Sequence, residues 1–147
     1  MKSHLKNLSK IRRKMINHLE NEVFCQIQRS PIHGVGVFAI RPIPKGIDPF
    51  RMLKNGRELK FSIELLDELH PNVVKQIQRF CYCDNDYFYL STMGLNQVSF
   101  ITYLNHSKTP NMKLKQNRGA TSLVKIKQGE ELTIDYDREF NDIHEFK

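Results

Sequence analysis

The sequence predicts a mainly β domain of the α+β class with few helices. From Val23 onward the apolar residues come in short runs bounded by Gly, Pro, Asn and Asp, the pattern of brief strands joined by turns. Helical spacing is confined to residues 1–22 and to Ser62–Arg79. A chain of 147 residues, 39% hydrophobic and 27% charged, suits one compact domain with a sizeable core.

In the first segment, Leu5, Leu8, Ile11, Met15, Ile16 and Leu19 recur at helical spacing. Lys2, Lys6, Lys10, Arg12, Arg13 and Lys14 face Glu20 and Glu22, which puts +4 of the chain's +7 into residues 1–22. We therefore expect a basic amphipathic helix over 1–22 and the domain proper over 23–147. Such a helix suits docking on an acidic protein, contact with nucleic acid or an anionic membrane surface, or simple packing on the domain with its charges in water.

Val23–Gln28 reads as a strand, Ser30–Gly36 as a turn-rich loop and Val35–Ile40 as a second strand, after which Pro42, Pro44 and Gly46 break the pattern. Over Ser62–Arg79 one or two helices are expected, with Ser62 as an N-cap and Pro71 opening the second. Further strands are expected at Phe80–Cys83 and Tyr87–Leu90 around the turn Asp84-Asn85-Asp86, and at Ala120–Ile126 and Glu131–Asp135 around Gln128-Gly129.

No stretch approaches the roughly 20 apolar residues of a membrane span. Met1–Lys6 lacks the apolar run of a secretory signal, so the expected location is intracellular, cytoplasmic or nuclear, and not secreted. Cys25, Cys81 and Cys83 read as reduced thiols. Cys81 and Cys83 share a strand face, but a closed zinc site needs four ligands, and His33, His106 and Asp135 are too dispersed to supply them; no metal is expected.

Three segments carry chemistry. Gly34-Val35-Gly36 allows a tight turn or close approach of a ligand to main-chain N–H groups. Tyr103-Leu104-Asn105-His106-Ser107 sets polar side chains after an apolar stretch, as a ligand site or an internal hydrogen-bond network requires, and the Asn105 oxygen can hold an ammonium. Tyr136, at the end of the last expected strand, is either a core tyrosine or a hydroxyl aimed into a cleft. No nucleophile elbow or serine–histidine–acid arrangement is present.

Together, Gly34-Val35-Gly36-Val37-Phe38-Ala39, Tyr103-Leu104-Asn105-His106-Ser107-Lys108-Thr109-Pro110-Asn111 and Gly129-Glu130-Glu131-Leu132-Thr133-Ile134-Asp135-Tyr136 resemble, in order and spacing, the SET-domain protein lysine methyltransferases. The resemblance runs from about Gln28 to Tyr136, with residues 48–96 corresponding to the family's variable insert. It implies a β-clip of small curved sheets with a C-terminal pseudoknot. It also implies transfer of a methyl group from S-adenosylmethionine, leaving S-adenosylhomocysteine, to a lysine of a protein substrate, with a histone among the candidates. In such a family His33, Gly34, Val35, Gly36, Tyr103, Asn105, His106 and Phe140 would bind the cofactor. Asn105 would hold its ammonium and the His106 main chain its adenine. Tyr136 would be catalytic, with Phe50 and Tyr82 as channel walls. The chain departs from the pattern at Thr102, where many members carry Arg or Lys, and at Lys108, where many carry a zinc-binding cysteine. This points to a minimal domain closed by an aromatic tail, Phe140 and Phe146, in place of a zinc-bound lid. The competing expectation is an inactive SET-like module that binds a protein partner.

Overall fold

The structure is a computed structural model, described here over residues 10–51, 58–91, 94–96, 99–115 and 119–140. Phe146 and the apolar positions Leu5 and Leu8 lie outside these residues. The described chain forms two compact units, one of residues 1–53 and 103–147, the other of residues 54–102.

The first unit begins with α1 (Lys10–Asn21), tied down at its C-terminal end by the Arg41 guanidinium, which donates to the Glu20 carbonyl at 2.6 Å. Ile16 is half-buried, whereas Met15 and Leu19 are exposed, so the apolar stripe of this helix is only partly covered. Then come β1 (Cys25–Arg29) and β2 (Val35–Ala39), paired antiparallel around the Ser30–Gly34 loop, followed by β5 (Asn105–His106), β6 (Met112–Leu114), β7 (Ala120–Ser122), β8 (Glu131–Ile134) and the single-turn helix α3 (Tyr136–Phe140). β1, β2, β8 and β5 make a four-stranded sheet in that order, and β6 pairs with β7.

β2 and β8 are its inner strands: Val37, Phe38, Ala39, Leu132, Thr133 and Ile134 are all buried. Strands covered on both faces read as continuous apolar runs, which is how Val37–Ile40 stands in the sequence. Ile43, Leu104, Met112 and Ile126 complete the core, with Ile43 bridging to Ile126.

The second unit holds β3 (Glu58–Ser62), a 3-10 helix (Ile63–Glu68), α2 (Pro71–Phe80) and β4 (Tyr87–Ser91), with β3 and β4 antiparallel. Ser62 caps the 3-10 helix, accepting from the Glu64 N–H, and Pro71 opens α2 behind a His70 cap. Leu66, Ile77 and Phe88 form its core, with Phe61 stacked on Phe88 at 5.3 Å.

The mainly β expectation, with small sheets and few helices, is met. Two local expectations are corrected. Phe80 ends α2 instead of opening a strand, and Cys83 makes only a single bridge to Phe88. Tyr136 starts α3 instead of ending a strand. Among the described residues no helix is long and apolar enough to cross a membrane, and the three cysteines are unbridged.

Candidate active site

The glycine loop is shaped by Ser30. Its main-chain N–H donates to the Gly34 carbonyl at 3.0 Å, and its hydroxyl oxygen accepts from the N–H of Ile32 at 2.9 Å and of His33 at 3.4 Å. Gly34 sits at φ +51°, a left-handed conformation that disfavours a side chain. Pro31 through Val35 are exposed, so the loop's outer edge is open to a ligand.

Asn105 reaches this loop from β5. Its Nδ2 donates to the carbonyls of His33 (3.2 Å) and Val35 (3.1 Å) and to Glu131 Oε1 (2.7 Å). Glu131, at the start of β8, also accepts from the Ser30 hydroxyl at 2.8 and 2.9 Å. The first and third motifs therefore meet the second at one carboxylate. That carboxylate occupies the space above Gly36, where a Cβ would collide with it and lie 3.0 Å from Asn105 Nδ2. The amide donates through Nδ2, and Oδ1 has no partner among the described residues.

β5 runs parallel to β8, Asn105 opposite Thr133 and His106 opposite Ile134, which sets the polar pair of the second motif beside the end of the third. β5 is two residues long, and the Asn111 side chain continues its work along β8: Nδ2 donates to the Glu131 carbonyl at 2.8 Å, and Oδ1 accepts from the Thr133 N–H at 2.9 Å.

Asp135, buried between β8 and α3, caps the helix: its carbonyl accepts from the N–H groups of Arg138 and Glu139, its carboxylate from that of Asp137. The Tyr136 N–H donates to His106 Nδ1 at 3.1 Å, which leaves the imidazole proton of the neutral ring on Nε2. The Tyr136 hydroxyl donates to the Leu104 carbonyl at 2.6 Å, and burial pushes its pKa up from the usual 10.0. Phe140 stacks on the Tyr136 ring at 5.6 Å, with His106 at 6.2 Å on a tilt. Tyr103 closes the 3-10 turn that leads into Leu104 and is half-buried.

A charged cluster borders these groups. His106, Asp135 and Asp137 bring a ring nitrogen and two carboxylates within 4.8 Å, a set able to hold a cation. Positive charge is already supplied there: Lys108 pairs with Asp137 and lies 3.7 Å from Asp135, and Arg138 Nε lies 3.4 Å from Asp135. The hydrogen bond to Asp137 pushes the Lys108 pKa up.

The structure thus brings His33, Gly34, Val35, Gly36, Asn105, His106, Tyr136 and Phe140 into one region of the first unit. Phe50 is half-buried in the same unit and joined to Asp48, whose Oδ1 accepts its N–H. Tyr82 belongs to the second unit, where it is exposed beside Tyr89, ring centroids 5.7 Å apart. Sequence reasoning missed Ser30, Asn111 and Glu131. The last two lie inside the quoted motifs, and the signal available was a polar side chain on a run otherwise destined for the core.

The SET domain family model matches residues 51–137, well over half of the chain. That range contains Asn105-His106 and Asp135-Tyr136 and begins after the glycine loop. Among solved structures the chain is similar to a candidate histone methyltransferase of Plasmodium falciparum, at 19% identity and a TM-score of 0.51, over 81% of this chain and 97% of that one. At that identity the likeness concerns the fold. No protein of curated function matches the sequence.

Proposed function

Because the chain belongs to the SET-domain family, we propose that it transfers the methyl group of S-adenosylmethionine to a lysine side chain of a protein. The observation that carries this reading is the convergence of the three motifs. An exposed loop, an amide whose oxygen has no partner among the described residues and a half-buried tyrosine are brought together by the β2–β8–β5 pairing. This donor set fits the cofactor's amino-acid end: Asn105 Oδ1 is available to an ammonium, and the loop at His33–Gly36 carries main-chain groups at its open edge.

When bound, the cofactor supplies a methyl already made electrophilic by its sulfonium, so the chain needs no covalent nucleophile of its own. Asn105 would accept from the ammonium, His33 to Gly36 would hold the methionine portion, and the His106 main chain with Tyr103 would hold the adenine. Phe140, stacked on Tyr136, walls the site on its outer side and helps exclude water. Phe50, in the same unit as these residues, is proposed for the channel around the lysine.

Tyr136 orients; it does not act as a base. Its raised pKa keeps the phenol protonated at neutral pH, and that proton is committed to the Leu104 carbonyl. As an acceptor, the phenol oxygen would take an N–H of the incoming amine and help align its nitrogen with the methyl. The lysine enters from a pKa of ~10.4 and sheds its proton more readily in an apolar channel beside a cation.

The test is incubation with labelled S-adenosylmethionine and a histone panel or cell lysate, followed by mass spectrometry to locate the label. Label on lysine side chains is expected. Cofactor binding without label on any protein would favour the inactive-module reading.

A further inference from the structure

We infer that Glu131 is the positioning residue that makes the site selective for a ligand carrying an amino-acid head group. The inference rests on the methyltransferase reading above. An asparagine amide can sit in two orientations related by a flip, and only one presents oxygen to an ammonium. In this chain three acceptors surround Nδ2: the His33 carbonyl, the Val35 carbonyl and, closest, Glu131 Oε1 at 2.7 Å. A flipped amide would press its oxygen against a carboxylate and two carbonyls, with no proton between any of them. The charged acceptor dominates, because a hydrogen bond to an ionised group is about twice as strong as a neutral one. Glu131 therefore locks the orientation in which Oδ1 is left for the ligand.

Three further observations join the same carboxylate to the site. The Ser30 hydroxyl donates to both its oxygens while accepting from two N–H groups of the loop, so Glu131 holds the loop and the amide together. Gly36 lacks the side chain that would displace it, so the motif's second glycine makes room for a carboxylate. The Glu131 main chain is itself held at the β8 edge by Asn111.

Calorimetric titration of the full chain with S-adenosylhomocysteine and with 5′-methylthioadenosine tests this, because the second ligand keeps the nucleoside and lacks the amino-acid head. Glu131→Ala is expected to weaken S-adenosylhomocysteine about tenfold, the loss of one hydrogen bond of the charged kind, and to leave 5′-methylthioadenosine unchanged. Glu131→Gln, whose amide oxygen can still accept from Asn105, recovers most of the loss. Should Glu131→Ala fail to fold, Gly36→Ala displaces the same carboxylate and is expected to give the same ligand-selective change. Equal affinities in wild type and variants, or parallel loss of both ligands, would overturn the inference alone. A wild type that binds neither would overturn the functional reading with it.

Discussion

Tyr136 combines two constraints on one phenol, and each has a measurable consequence. Its hydroxyl hydrogen is given to the Leu104 carbonyl, and in the proposed reaction its oxygen accepts from the substrate amine. Tyr136→Phe removes the lone pairs and keeps the ring that stacks on Phe140. Turnover is expected to fall about a hundredfold, the cost of a misaligned reacting group, with S-adenosylhomocysteine affinity unchanged by calorimetry. Cys25 offers a second test. Burial pushes its thiol up from 9.0 to about 12, so the folded chain keeps a proton that the unfolded chain surrenders near pH 9. Below that pH the group adds nothing to the slope; as pH climbs from 9 towards 12 the unfolded state binds fewer protons and stability falls. Denaturant midpoints of the wild type should drop more steeply across that window than those of Cys25→Ala. The residue types of the site were readable beforehand: Gly34, Asn105, His106 and Tyr136 all stand in the quoted motifs. Their linkage was not, because Ser30 and Glu131 are 101 positions apart and nothing local marks either as the other's partner.

Among the elements, helix spacing overrode strand propensity at Phe80. The aromatic and cysteine run there suits a strand, yet Val73, Val74, Ile77 and Phe80 continue the period of α2, and the Cys81 N–H still donates to the Ile77 carbonyl at 2.8 Å. The strands β5 and β6 escaped the sequence reading because they span only two and three residues, below what alternation can reveal. β8 shows how such a short neighbour is made sufficient. At the N-terminal end of β8, ahead of β5, Asn111 satisfies one carbonyl and one N–H with the two ends of a single amide. Asn111→Ala leaves both main-chain groups without that partner. A cost of about 2 kcal/mol, read as a lowered urea midpoint at unchanged slope, is expected.

At the level of the whole molecule, charge and fold separate along the chain. Residues 1–53 and 103–147 carry 18 basic against 10 acidic side chains, and residues 54–102 carry 5 against 6, so the excess charge belongs to the unit that holds the candidate site. A ligand seated there stabilises the fold by mass action. S-adenosylhomocysteine at a hundred times its dissociation constant should add about 2.7 kcal/mol, visible as a raised melting temperature. The mainly β class was legible from strand lengths and turns, whereas the parallel meeting of β5 and β8 was not, since parallel neighbours are joined by long connections whose path local sequence does not encode. The attachment of α3 carries one more consequence. Lys108, at a position where many members of the family place a zinc-binding cysteine, joins the loop after β5 to Asp137 and Asp135 through charge, and its side chain is exposed. An exposed ionic joint of this kind is governed by the solution around it. Raising the salt concentration loosens it, so this part of the grip on α3 follows the ionic strength of the medium.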